Sequence, residues 1–176
     1  LAQYQRMREQ NIRFVVASGN QYYQLISFFP EIAHQIAFVA ENGGWVVSGN
    51  EDVFNCQLPV HHFNAVVDHL QTLPNIEIIA CGKRSAYTLN RYNDALKTVA
   101  AKYYHRLELV DDFNHLDDTI LKFGLNVPDS LIPEIQPKLH AALGDMVTAV
   151  ATGYGSIDLL SRVCTKPTGC AFCSSA

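Results

Sequence analysis

The chain has 176 residues, 48% of them hydrophobic and 17% charged, with a formal net charge of −4. That size and apolar content suffice for a buried core without covalent staples, and the acidic balance argues against general nucleic-acid binding, which needs a basic face. No apolar stretch approaches the roughly 20 residues of a membrane span, and the charged opening LAQYQRMREQ is unlike a signal peptide, so a cytoplasmic protein with a small-molecule partner is expected.

Leu1–Gln10 places Leu1, Tyr4 and Met7 at helical spacing among charged and amide residues, which predicts an amphipathic helix. Phe14–Asn20 (FVVASGN) is a β-branched apolar run that stops at Ser-Gly-Asn and gives way to Gln21–Phe29. It reads as a buried parallel strand followed by a strand-to-helix turn. Such a turn presents a hydroxyl and free backbone N–H groups at a helix start, a setting that favours phosphate; Ser18 or Asn20 as a simple helix cap is the alternative. Ile36–Ala40 reads as the next strand. Glu41-Asn42-Gly43-Gly44 turns the chain back into Trp45–Val47, and its Asn-Gly supplies positive φ whether or not it also meets a ligand.

Composition turns polar around Ser48–Asp52, where a second unit is expected to be inserted. Within it, Val53–Leu58 predicts a strand and Val60–Leu73 a helix with Phe63, Val66, Val67 and Leu70 on one face. Strands are predicted at Ile76–Cys81, Ser85–Leu89, within Tyr103–Val110, at Ile120–Leu125 and at Met146–Ala151, with helices over Asp94–Ala101 and Leu131–Leu143. This is an α+β unit, a mostly antiparallel sheet backed by helices. The chain is expected to return to the first unit near Gly153, with Ser156–Leu160 (SIDLL) as one of its strands. The domain organisation read from these elements is therefore 1–50 with 151–176, and 51–150 between them.

The stretch NIRFVVASGNQYYQLISFFPEI, taken with ENGGW at Glu41–Trp45, the I-D-L of Ile157–Leu159 and Lys166, resembles the Cof-type sugar phosphatases of the haloacid dehalogenase superfamily, from the first residues to about Gly169. The resemblance implies an α/β fold, a partial Rossmann-like parallel-sheet core with an inserted α+β cap. It also implies a phosphatase acting on sugar phosphates or other small organophosphates through a phospho-aspartate, with Mg²⁺ neutralising the phosphoryl oxygens. Ser18 matches the family's Ser/Thr position, and Lys166 its lysine. The segment Ser161–Thr165 departs from the family's proline-glycine turn, and a solvated lysine ahead of Pro167 is the alternative for Lys166. Gly19, Asn20, Asn42 and Gly43 are candidate phosphate contacts. In the cap, Gly82, Lys83, Arg84, Tyr87 and the Gly153-Tyr154-Gly155 loop are candidate substrate contacts. The two aspartate motifs of the family are absent from the sequence, as are most of its metal ligands, which implies an incomplete copy, inactive alone. A non-catalytic sugar-phosphate-binding domain is the alternative function.

Other constellations are weaker. Asp111, Asp112, Asp117 and Asp118 lack the spacing and glycine of a calcium loop and read as a solvated acidic loop. His61, His62 and His69 lack further ligands and read as surface residues, and Asp158 reads as an exposed strand-end carboxylate. Ser18 is no hydrolase-elbow nucleophile, because Val16 stands where that turn needs glycine. The odd count of five cysteines fits reduced thiols, and Cys164, Cys170 and Cys173 offer too few ligands for structural zinc.

Overall fold

In the computed structural model, residues 1–163 are described, and the chain divides into two compact units with the boundary between Asn55 and Cys56. Among the described residues no helix is long and apolar enough to cross a membrane.

The first unit is a four-stranded sheet in the order β1 (Val15–Ala17), β2 (Ala37–Ala40), β3 (Trp45–Ser48), β4 (Glu51–Asn55). β1 and β2 are parallel, so the chain needs a crossover between them, and α2 (Tyr22–Ser27) lies in it. β2, β3 and β4 follow as an antiparallel meander. Strand alternation puts Phe14, Val16, Ile36, Phe38 and Ala40 in one cluster with Leu25, Ile26 and Phe29. The rings of Phe14 and Phe29 meet edge-on, with centroids 5.8 Å apart. α1 (Ala2–Glu9) buries no residue fully and joins the cluster through Tyr4, whose ring lies 6.4 Å from that of Phe14.

The polar Ser48–Asp52 stretch is not the boundary that its composition predicts. Gly49 (φ +56) and Asn50 (φ +69) form a two-residue hairpin turn, and Glu51–Asn55 returns as β4 of the same sheet. Two successive left-handed residues give a turn whose twist matches the flanking strands, so Gly-Asn continues the sheet instead of leaving it.

The second unit is a six-stranded sheet in the order β7 (Leu107–Val110), β6 (Ala86–Leu89), β5 (Glu77–Gly82), β8 (Ile120–Asn126), β10 (Ser156–Ser161), β9 (Val147–Gly153). Only β6 and β7 pair in parallel, and α4 (Asp94–Tyr103) lies in the connection between them. α3 (Val60–Gln71) contributes Phe63, Val66, Val67 and Leu70, the predicted face, and α5 (Ile132–Leu143) contributes Ile135, Leu139 and Leu143. Both pack with Ile78, Ala80, Phe123, Leu125, Ile157 and Leu159, and Phe63 stacks on Phe123 at 5.3 Å. The alternate residues Ile79, Cys81 and Ala86 belong to a separate cluster with Ala100 and Tyr104. The expected α+β unit is therefore present with six strands, the number predicted, but the strand expected at Val53–Leu58 falls to the first sheet as β4 and β10 takes its place. Ser156–Leu160 pairs with β8 and β9, not with the first unit, because Gly153, Tyr154 and Gly155 all take positive φ and fold it straight back on β9.

Cys81 is buried, with its thiol 3.7 Å from the Tyr104 hydroxyl. Lys166 and Cys164, Cys170 and Cys173 lie outside the described residues.

Candidate functional site

Ser18 directly follows β1, and Asn20 stands one residue ahead of Gln21, the residue that opens α2. The backbone there is laced to the loop after β2. Ser18 N–H donates to the Val39 carbonyl at 2.9 Å, Asn42 N–H to the Ser18 carbonyl at 3.3 Å, and Glu41 N–H to the Asn20 carbonyl at 3.2 Å. The Ser18 hydroxyl accepts Asn20 N–H at 3.2 Å. An accepting hydroxyl keeps its own proton to donate. With only six residues, α2 adds little macrodipole, so the donors of the turn itself, and not the helix predicted to begin at Gln21, carry any anion affinity.

Gly19 fits here for a local reason. A Cβ at that position would stand 2.1 Å from Asn42 Oδ1, so only glycine lets the Asn42 side chain lie against the turn. Glu41 (φ +51), Asn42 (φ +57) and Gly43 (φ +89) are left-handed in succession. Sequence reasoning quoted Glu41 only as a turn residue, yet it is 2% exposed and holds a conformation unusual for a non-glycine residue. A carboxylate directly after a wholly apolar strand was the available signal. A groove of about 720 Å³ lined by Arg13, Phe14, Val15, Gln35, Ile36 and Ala37 lies at the opposite, entering ends of β1 and β2 and is not part of this cluster.

In the second unit, Gly82 and Tyr87 gather around Asp118, read from sequence as part of a solvated acidic loop, and Lys83 N–H donates to the neighbouring Thr119 carbonyl at 3.0 Å. The Asp118 carboxylate accepts Arg84 N–H at 2.9 Å, Ser85 N–H at 3.1 Å and the Tyr87 hydroxyl at 2.9 Å, and its other oxygen accepts Thr119 N–H at 2.7 Å. A Cβ on Gly82 would come within 2.2 Å of that carboxylate. Asp118 is thus an anchor of the turn, not a solvated acid, while Asp117 pairs with Arg84 at 3.0 Å on the surface. Tyr87 is 7% exposed within the main core, and burial, then the Asp118 hydrogen bond and charge, push its phenol pKa up.

Tyr154 is fully exposed at the tip of the β9–β10 hairpin. β8 separates it from the Gly82 turn: Gly82 registers with Ile120 at one end of that strand, and Ser156 with Asn126 at the other. At about 3.3 Å per residue the two candidate contacts are roughly 20 Å apart, so no single small metabolite touches both. Asp158 is likewise not an exposed strand end. It is 8% exposed and paired at 3.4 Å with Lys122, itself 3% exposed, a pair invisible to sequence reasoning because the partners come from different strands.

Residues 1–175 match the haloacid dehalogenase-like hydrolases. The chain belongs to that family. It is 66% identical over 160 residues to the 5-amino-6-(5-phospho-D-ribitylamino)uracil phosphatase YbjI of Escherichia coli K12, an alignment that covers 91% of this chain and 59% of YbjI. Among solved structures, SMU.1108c from Streptococcus mutans UA159 superposes with a TM-score of 0.84 at 25% identity, over 90% of this chain and 60% of the other. The haloacid dehalogenase subclass IIB sugar phosphatase BT4131 shares the fold, with a TM-score of 0.71 at 10% identity over 95% of this chain and 63% of its own. The chain thus spans about three-fifths of the relatives it matches. Phosphatases of this family generally use Mg²⁺. Among the described residues no three His, Cys, Asp or Glu side chains converge as a metal site requires, so these residues do not by themselves fit the ion.

Proposed function

We propose that this chain is the phosphoryl-holding part of a phosphatase acting on small phosphate monoesters of sugars or sugar alcohols, with a cytoplasmic setting and the second unit serving as the cap. The ribitylaminouracil phosphate named for YbjI is the first substrate to test. The observation that carries this reading is Ser18: its backbone N–H and carbonyl are committed to Val39 and Asn42, while its hydroxyl retains a proton to give a phosphoryl oxygen. Backbone anchoring of this kind fixes the donor before the substrate arrives, and preorganised donors are worth most as charge develops in the transition state.

The roles follow from chemistry and position. Ser18 orients the phosphoryl group, Asn20 braces its hydroxyl through the backbone N–H, Gly19 leaves room for Asn42 to lie against the turn as a further candidate contact, and Gly43 allows the loop to turn. Lys166 would neutralise phosphoryl charge. Lys83 is the candidate cap contact; Gly82 and Tyr87 support its turn, and Tyr154 reads as a surface contact of another kind. The nucleophilic aspartate of the family has no counterpart in a D-x-D pair of this sequence, so no covalent step is assigned to these residues.

Two assays test this. The purified 176-residue chain, given Mg²⁺ and a panel of sugar phosphates, is expected to be nearly inert, because losing the nucleophile costs about as much as losing the catalytic set. It should still bind inorganic phosphate weakly, and Ser18→Ala should weaken that binding. Turnover of about 1–1000 per second that survives Ser18→Ala and Lys166→Ala would overturn the proposal.

A further inference from the structure

An antiparallel sheet leaves a row of unpaired backbone groups along each outer strand, and proteins usually blunt such edges with charge, proline or bulges. The six-stranded sheet treats its two edges differently. Around β7 stand Arg106, Glu108, Asp111 and Asp112. β9 (VTAVATG) is seven residues long with no charge and no proline, and Thr148 and every residue from Val150 to Tyr154 are exposed. Among the described residues no strand pairs with its outer side.

The centre of β9, Thr148-Ala149-Val150-Ala151-Thr152, reads identically in both directions. We propose that β9 is a self-pairing edge, through which two copies of this chain join their six-stranded sheets across a two-fold axis at Val150. An antiparallel pair about that axis sets Val150 opposite itself, Ala149 opposite Ala151 and Thr148 opposite Thr152. These five central positions then pair matching side chains, with Thr–Thr on both sides of the axis and no charge opposed to its like, so the strand centre is complementary to itself. That self-complementarity points to a second copy as the occupant.

The backbone geometry is compatible. Arg162 N–H donates to the Met146 carbonyl at 3.0 Å, so strand alternation turns Met146, Thr148 and Val150 toward β10 and Ala149 away from it, where Gln136 Nε2 reaches the Ala149 carbonyl at 3.2 Å. Ala149 and Ala151 therefore direct their hydrogen-bonding groups outward, and those of Val150 turn toward β10. In the two-fold pair Ala149 of one copy bonds Ala151 of the other, and the two Val150 residues form a non-hydrogen-bonded pair with Cα atoms about 4.5 Å apart. Gln136 occupies one of two carbonyl lone pairs and can share it. Tyr154, fully exposed, comes opposite Met146 of the second copy and gains an apolar neighbour.

Light scattering of the 176-residue chain from micromolar to submillimolar concentration should show a monomer–dimer equilibrium. Val150→Lys sets like charges against each other at the axis and should raise the dimer Kd about tenfold or more. Val150→Cys should cross-link under mild oxidation, reversibly with dithiothreitol. Thr148→Cys, which faces Thr152 and not itself, should cross-link no more than the parent chain, whose own cysteines set the background. A monomer at every concentration, or equal cross-linking by the two cysteine variants, overturns the proposal, and neither outcome depends on phosphatase activity.

Discussion

At Gly19 a Cβ would lie 2.1 Å from Asn42 Oδ1, and at Gly82 it would lie 2.2 Å from Asp118 Oδ2. In both turns a glycine makes room for an oxygen brought in by a segment distant in sequence. The two differ in what remains afterwards. Asp118 has about four acceptor positions; Ser85 and Tyr87 take one oxygen, Thr119 the other, and Arg84 N–H is shared between the two at 2.9 and 3.2 Å. Ser18 accepts one N–H and keeps a donor. A turn whose polar capacity is consumed holds a fold, whereas one that ends with a donor in reserve can hold a ligand. This distinction, more than the presence of glycine or a basic residue nearby, separates the first-unit candidates from Gly82 and Tyr87.

The contrast predicts that polar substitutions in the second unit act on stability. The largest effect is expected at Asp158. Removing it as Asp158→Ala deprives the buried Lys122 ammonium of its carboxylate, which should cost about 3 kcal/mol or more in denaturant unfolding. A loss under about 1 kcal/mol would mean that the buried Lys122 charge does not depend on Asp158.

Next comes the pair of glycines. Gly82→Ala forces a Cβ against a carboxylate that four donors hold in place and against the Ser85 carbonyl at 3.0 Å, so a loss of about 2–3 kcal/mol is expected. Gly19→Ala meets the end of the Asn42 side chain, which can swing aside, and should cost about 1 kcal/mol or less. Gly19→Ala should nevertheless abolish phosphate binding, measured by calorimetry. Equal stability losses at the two sites would break the comparison.

What the sequence made legible follows the same division between local and distant. The apolar face of α3 and the Ser-Gly-Asn stop after β1 are written within a few residues, and each could be read directly. Sheet membership could not. SIDLL is an apolar run that suits either sheet, and the decision lies in three left-handed residues, one of them the non-glycine Tyr154. Gly49-Asn50 looked like a linker because polarity is shared by linkers and hairpins. Among Asp111, Asp112, Asp117 and Asp118, only the register of β8 against Gly82, some 36 residues earlier, selects Asp118. Lys122 and Asp158, also 36 residues apart, meet for the same reason.

A pH experiment sharpens the account of the closed turn. Tyr87 has its pKa raised in the folded protein by burial and by Asp118. A group whose folded pKa exceeds its unfolded value of about 10 contributes stability that is fully present below that pH and is lost as pH rises through the folded pKa. The parent chain should therefore lose stability above about pH 10 through this group, and Tyr87→Phe should lack that component. At neutral pH the same substitution removes one hydrogen bond to a carboxylate and should cost about 1–2 kcal/mol. An unchanged alkaline slope in Tyr87→Phe would show that another group carries it.

The smallest structural effect is expected where the functional one is greatest. Ser18 is half-buried, and its hydroxyl makes one described contact, accepting the N–H of exposed Asn20. Water can satisfy that N–H when the hydroxyl is gone, so Ser18→Ala should shift stability by about 0.5 kcal/mol or less. The backbone bonds to Val39 and Asn42 do not involve the side chain and should persist, leaving the turn in place. Phosphate affinity should fall all the same, and in a full-length relative that retains the aspartate motifs the equivalent change should lower kcat about a hundredfold, the usual cost of one preorganised donor. If Ser18→Ala instead unfolds the unit, or leaves both affinity and kcat untouched, its hydroxyl is a cap of the turn and the reserve donor on which the comparison rests does not exist.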